Sequence, residues 1–287
     1  MRAQVSPLGD IVDTARLMAF YRAVESERAD ALFHDPFARR LAGQRGEDIA
    51  RRLPMHRLSA WIVAVRTRVF DEMIVRAIED GVDTVLNLAA GLDTRPYRLA
   101  LPQALRWIEV DFADILSYKQ EKLRDEQPAC LLERVALNLA HQEARKMLFR
   151  RAGAEGKRVL VVSEGFLLYL AADDVAALAC DLHTIPSFAY WLTALASPLM
   201  VKMLPRALSR HLAQGGVRMQ FAPEEGAAFF LPSGWKTAQF LPSQEEAHRL
   251  SRELPTLWFL RRLSLLTSKG DQPTGSEAGG FLLLRRA

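Results

Sequence analysis

Hydrophobic positions along this chain change their period once, near residue 80, and that change divides the sequence. Before it, apolar residues recur three and four apart: Trp61, Ile62, Val65, Val69, Phe70, Met73, Ile74 and Ala77 fall on one face of a helix expected over Ser59–Glu79 and stopped at Gly81. Asp13 can cap an earlier helix from about Thr14 to Glu27, and Asp35-Pro36 offers a second start with proline at the first helical position. An all-helical arm over residues 1–80 is therefore expected ahead of the first strand.

From Val82 onward, short runs rich in strand formers alternate with helical stretches. Strands are expected at Thr84–Leu88, Trp107–Asp111, Arg134–Asn138, Arg158–Glu164 and Ser187–Leu195. Helical segments separate them at about Tyr97–Leu101, Phe112–Glu126, Gln142–Arg151 and from Asp173-Asp174 to about His183. Such alternation specifies an α/β fold: a mostly parallel, Rossmann-like sheet with helices on both faces and ligands at the carboxyl ends of the strands. Residues 198–232, broken by Pro198, Pro205, Gly215-Gly216 and Pro223, interrupt the alternation and read as a helical lid insertion over the site. Trp235–Phe240 and Gly280–Arg286 are the last strands, with Gln272–Gly279 an exposed loop. One domain is expected, with arm 1–80, cofactor-binding core 81–197, insertion 198–232 and the C-terminal part of the sheet in 233–287.

The most informative turn is Asp83–Arg95. A strand runs into Ala89-Ala90-Gly91, small residues that let backbone N–H groups approach a ligand, and Asp93-Thr94 then starts a helix whose positive end is expected at the same place. Asp111, at the end of the next strand, lies 20 residues after Gly91, where a nucleoside site puts a carboxylate for ribose hydroxyls. A dinucleotide would require Gly-x-Gly-x-x-Gly around its pyrophosphate; the corresponding residues are Ala89, Gly91 and Thr94. The turn suits a ribose-bearing ligand without a pyrophosphate, of which S-adenosylmethionine is the common one.

Two further strand ends carry polar residues. Asn138 can serve as a turn former, or its side-chain carbonyl can accept from an adenine amino group while the Leu139 N–H reads a ring nitrogen. Glu164, after Val-Leu-Val-Val and before Gly165, would be costly to bury unpaired, and a cationic ligand group would satisfy it. In the arm, Arg22 and Arg66 offer planar, two-pronged donors for a carboxylate, against the alternative of solvated helix faces.

Composition narrows the partners. The net charge is only +4, with 31 arginines and 7 lysines scattered rather than clustered, so no nucleic-acid partner is implied. No apolar run reaches about 18 residues and no secretory leader pattern opens the chain, so a cytoplasmic protein without a membrane partner is expected. Cys130 and Cys180 lack metal-ligand spacing; Cys180, in an apolar helical run, is expected to be a buried thiol.

Several of these segments occur together in one family. Asp13-Thr14-Ala15 with Tyr21-Arg22-Ala23, Phe33–Ala38 (FHDPFA), Arg66-Thr67-Arg68 with Asp71, Asn87–Leu99 (NLAAGLDTRPYRL), Glu109-Val110-Asp111 with Lys119, Ser163–Leu170 (SEGFLLYL) and Gly234-Trp235 stand in the order of the leucine carboxyl methyltransferase family. The chain resembles these class I S-adenosylmethionine-dependent methyltransferases, whose bacterial members include O-methyltransferases of polyketide and other secondary-metabolite pathways. The resemblance implies that Arg66 binds the methionine carboxylate with Arg22 as a second cation, that Gly91 is the close-approach glycine, and that Asp111 holds the ribose. It implies that Asn138 and Leu139 contact adenine and that Glu164 contacts the cofactor. The family usually has Gly where Ala89 stands and Asp where Asn138 stands.

The resemblance implies transfer of a methyl group to a small-molecule oxygen; a protein-carboxylate methyltransferase and a non-catalytic cofactor-binding protein are the alternatives. A carboxylate acceptor needs no base but needs a cation, for which Arg95, Arg98 and Arg218 are candidates. A phenol or alcohol needs a base within hydrogen-bond reach, drawn from His34, His56, His141, His183, His211 and His248, with His34 read as structural because its motif also starts a helix.

Overall fold

The structure, a computed structural model, describes residues 11–53, 56–198, 201, 219–252 and 279–287. Three helices form the arm: α1 (Ile11–Ser26), α2 (Ala38–Arg52) and α3 (His56–Glu79). Leu17 and Tyr21 of α1 pack against Ile49 and Ala50 of α2, the Leu53 that follows it and Val63 of α3, closing a small core of their own. The first helix begins at Ile11, ahead of the expected start. Asp13 lies within its first turn, and its carboxylate accepts from Arg45 Nε of α2 at 3.0 Å, an interhelical tie instead of a cap. Asp35 likewise precedes α2 by three residues; its carbonyl accepts from the Ala38 N–H, and its side chain turns inward.

Seven strands follow: β1 (Thr84–Leu88), β2 (Arg106–Asp111), β3 (Leu131–Ala136), β4 (Val159–Ser163), β5 (Phe188–Leu195), β6 (Trp235–Pro242) and β7 (Gly280–Arg286). They lie in the order β3-β2-β1-β4-β5-β7-β6. The first five are parallel, and β7 is antiparallel to both β5 and β6. The connecting helices are α4 (Arg95–Arg98), α5 (Ala113–Lys122), α6 (Gln142–Glu155), α7 (Ala172–His183) and α8 (Ser243–Arg249). Strand order reverses between β1 and β4, so the crevice at their carboxyl ends is the expected ligand position.

Alternation along each strand splits the core into two layers. Leu86, Leu88, Ile108, Val110 and Val161 face Leu148, Phe149, Val175, Leu178 and Leu182 of α6 and α7. Val85, Trp107, Leu160 and Val162 face Val69, Phe70, Met73 and Ile74 of α3. The apolar stripe of α3 is thus the second layer of the sheet, and truncating Phe70, which is fully buried, would cost about 3–5 kcal/mol.

Several boundaries differ from the sequence reading. The strand expected at Arg134–Asn138 lies at Leu131–Ala136, leaving Asn138 two residues beyond its end. The helix after the Gly91 turn is the single turn Arg95–Arg98, because Pro96 can sit only in the first turn and Leu99 is already extended. A helix this short has little macrodipole to offer a ligand. The expected insertion over 198–232 falls mostly outside the described residues; its described end is a 3₁₀ helix, Gly226–Ser233, packed through Phe230 on Trp191, which in turn meets Trp235. Of the loop expected at Gln272–Gly279, only Gly279 is described. Cys180 is exposed on α7 while Cys130 is buried, the reverse of the expectation for Cys180. No helix among the described residues is long and apolar enough to cross a membrane.

Candidate functional site

A cavity of about 470 Å³ opens at the carboxyl ends of β1, β2 and β4 and is covered by α1. Arg22, Arg66, Gly91, Asp111, Asn138, Leu139 and Glu164 all line it. The structure therefore brings together residues that the chain spreads over more than 140 positions.

The β1 turn forms its floor. Gly91 has φ +51° and Ala89 φ +52°, the left-handed region that costs a residue with a Cβ about 1–2 kcal/mol. Ala89 thus carries strain in the turn itself. The Gly91 N–H donates to Asp111 Oδ2 at 2.7 Å, and the Phe112 N–H donates to Oδ1 at 2.7 Å. Each oxygen keeps a second lone pair for a ligand hydroxyl. Burial outweighs these hydrogen bonds and raises the Asp111 pKa above the usual carboxylate range.

Glu164 does not await a cationic ligand to be neutralised. Its Oε1 accepts from Arg66 Nε at 2.8 Å and its Oε2 pairs with Arg95 Nη1 at 2.7 Å. Burial opposes its ionisation, but the charges of Arg95 and Arg66 prevail and lower its pKa. Arg95 also reaches Asp71 at 2.6 Å and Asp93 at 3.0 Å, and Arg98 pairs with Asp71 at 2.7 Å. Asp93 is held below the usual range despite its burial, chiefly by Arg95. Arg95 and Arg98 are thus consumed in a buried ion-pair network that ties α3 to the turn, which removes them as free cations for an acceptor carboxylate. Arg218 lies outside the described residues.

Arg66 spends its Nε on Glu164 and lays its Nη1 alongside Gly165, where an added Cβ would stand 3.2 Å from that nitrogen at φ +66°. Its Nη2 meets the Met18 sulfur at 3.7 Å. Arg22 lines the cavity with its guanidinium already engaged: Nε donates to Asp35 Oδ2 at 2.8 Å and Nη2 to the Leu92 carbonyl at 2.6 Å. Neither arginine is a solvated helix face.

Beyond β3, Asn138 Oδ1 accepts from the Ala140 N–H at 3.0 Å, so this side chain is a turn former in the structure. The N–H groups of Asn138 and Leu139 have no hydrogen-bond partner among the described residues, although Leu139 is buried. A buried donor left without a partner is costly unless a ligand or water accepts from it.

Other lining residues escaped the sequence reading. Thr14 and Met18 precede the predicted Arg22 by four-residue steps on the inner face of α1, a spacing visible in the sequence. Phe112 offers a partly exposed ring beside Asp111. Tyr169 lies inside the SEGFLLYL segment, and burial raises the pKa of its hydroxyl. Arg145 reaches the cavity from α6. None of the described histidine side chains lines it; His34 is exposed. Among the described residues no His/Cys/Asp/Glu cluster could hold a metal.

Comparison with known proteins gives this geometry a lineage. A protein of Streptomyces coelicolor named as a candidate S-adenosyl-L-methionine-dependent methyltransferase is 35% identical over 186 residues, covering 61% of this chain and 64% of its own length. A similarly named protein of Parafrankia is 36% identical over 181 residues, covering 58% and 57%. The chain thus spans less than two thirds of the length of these relatives. The crystal structure of a DUF574 family protein from Streptomyces avermitilis shares the fold, with a TM-score of 0.60 at 13% identity over 96% of this chain and 97% of that one. The leucine carboxyl methyltransferase profile matches residues 15–182, the stretch from the second turn of α1 to the end of α7 that builds most of the cavity wall, and the chain belongs to that family.

Proposed function

We propose that the protein is an S-adenosylmethionine-dependent O-methyltransferase acting on a carboxylate or hydroxyl of a small-molecule acceptor. The observation that carries this reading is the Gly91–Asp111 pair: a left-handed glycine turn whose N–H is bonded to a strand-end carboxylate, with only a one-turn helix behind it. That arrangement suits ribose hydroxyls and offers no cradle for a pyrophosphate.

The remaining lining residues fit the rest of the cofactor. Leu139 supplies a buried donor for a ring nitrogen, and Phe112 an aromatic face for the base. Arg66 and Glu164, 2.8 Å apart and oppositely charged, match the carboxylate and ammonium of one amino-acid end. Bound there, the cofactor would supply an electrophilic methyl group on a sulfonium. The chain then has to align the acceptor oxygen and exclude water. Helix α1 covers the cavity through Met18 and Ala15, while Phe166, Tyr169 and Leu170 give an apolar wall next to Glu164 and favour an acceptor with an apolar body.

The family name favours a second reading, methylation of a protein's carboxylate. Calorimetric titration with S-adenosylhomocysteine alongside NADH tests the cofactor, with Asp111→Ala and Arg66→Ala as controls. Micromolar binding of the first ligand alone, weakened in both variants, is expected. An acceptor screen of free acids, phenols and peptide C-termini then separates the two readings, and binding without turnover on any of them would identify a non-catalytic protein. Failure of the folded wild type to bind S-adenosylhomocysteine refutes the proposal.

A further inference from the structure

Arg145 lines the cavity as Arg22, Arg66 and Arg95 do, but it meets the loop after β3 and stands apart from the ion-pair network of Arg66, Arg95 and Arg98. It projects from α6 and is 7% exposed. Its Nε donates to Asp181 Oδ2 of α7 at 3.0 Å, its Nη2 contacts the same oxygen, and its Nη1 donates to the Leu139 carbonyl at 3.0 Å. Asp181 is buried as well, at 6%.

The hydrogen bonds of the loop after β3 show what this contact does. The Leu137 N–H is spent on the Asp111 carbonyl, the Ala140 N–H on Asn138 Oδ1, and the His141 N–H on the Asn138 carbonyl. Arg145 takes the Leu139 carbonyl. Bonds thus hold the loop on both sides of Leu139 and at its own carbonyl, while the Leu139 N–H stays without a partner among the described residues. A charge-assisted bond from a buried guanidinium, itself held by an aspartate, is a stiff way to set the tilt of a peptide.

We infer that the Arg145–Asp181 pair is a positioning device for nucleobase recognition: it sets the Leu139 loop so that the Leu139 N–H meets a ring nitrogen of adenine and rejects a 6-oxopurine. The inference rests on the cofactor reading given above and deepens it. In adenine the ring N1 accepts a hydrogen bond, whereas in hypoxanthine it carries a proton and meets a donor head-on. Discrimination therefore depends on how rigidly that N–H is aimed.

The test uses the full-length protein in three forms. Arg145→Lys keeps a cation for Asp181 but not the fork that also reaches Leu139. Arg145→Met with Asp181→Leu removes both charges together and leaves no unpaired buried ion. Titrations with S-adenosylhomocysteine, 5′-methylthioadenosine and S-inosylhomocysteine are run on forms whose melting is cooperative. Each altered protein is expected to bind both adenine ligands about three- to tenfold more weakly, the worth of one hydrogen bond, and to lose most of the adenine-over-hypoxanthine preference. The affinity ratio of S-adenosylhomocysteine to methylthioadenosine, which reports the amino-acid end, is expected to stay unchanged. A folded variant with the wild-type base preference overturns the inference while leaving the cofactor reading intact. A wild type that binds none of the three ligands overturns both.

Discussion

Replacing Asp35 by Asn tests the joint between the arm and the cofactor turn. The Asp35 side chain is fully buried and accepts from Arg22 Nε at 2.8 Å, Thr94 Oγ1 at 2.7 Å and the Phe37 N–H at 3.2 Å. Asparagine keeps the shape and the Phe37 bond, but it removes the charge and can turn an NH₂ toward Arg22 or Thr94. Stranding a buried ion usually costs about 3–5 kcal/mol. Arg22 retains its Leu92 carbonyl and is slightly exposed, so about 2–4 kcal/mol is expected here. At roughly 2–4 °C per kcal/mol, the melting temperature should fall by about 5–15 °C. Urea melts of Asp35→Asn, Arg22→Met and the double variant should give a coupling of about 1–3 kcal/mol between the two sites. Acid denaturation supplies the second readout. Burial pushes the Asp35 pKa up, but Arg22 and Thr94 outweigh it and leave the folded value below the ordinary one. Its stabilisation is therefore complete above the unfolded carboxyl range and lost as pH falls through the lowered folded value, so the acid limb of stability against pH should flatten in Asp35→Asn. A cost below about 1 kcal/mol, or additive single changes, would refute the picture of a clamped arm.

Ala89→Gly should stabilise the folded protein by about 0.5–1 kcal/mol, because relief of the left-handed strain exceeds the added chain entropy of glycine; a lower midpoint in urea would contradict that. The two thiols should differ under native conditions: exposed Cys180 reacts with a disulfide reagent at once, whereas Cys130, buried and with its pKa pushed up to about 11, reacts only in denaturant. Equal native rates for both thiols would count against their placement.

What could be read from the sequence follows the strength of the local signal. The α3 stripe and the buried strands β1, β2 and β4 have patterns fixed by one dominant force, so their positions were close to the structure. Strand β3 was displaced by three residues at its start because it is an edge strand whose side chains are half-exposed, so neither alternation nor a continuous apolar run marks it. Helix α8 carries few apolar residues and was missed. Cys180 looked buried because its neighbours are apolar, yet the inward face of α7 is Val175, Leu178, Ala179 and Leu182. At the site, individual residue types were legible while their pairing was not. Glu164 was recognisable as a carboxylate needing a cation, but its partners Arg66 and Arg95 lie 98 and 69 residues away, and only the fold decides that two arginines meet it. Arg145 had no local signal, since its meaning depends on a carbonyl in a loop whose course the sequence does not reveal.

The position of β7 has a consequence for how the protein is made. It lies between β5 and β6 although it follows both in the chain, and it places Phe281 in one core layer and Leu282 and Leu284 in the other. Strands β3, β2, β1, β4 and β5 can assemble as the chain emerges from the ribosome. Strand β6, whose partner among the described residues is β7 alone, joins the sheet once residues 280–286 have been synthesised and inserted beside it. Until β7 arrives, β5 is an apolar edge strand, and an open apolar edge is a template for mispairing.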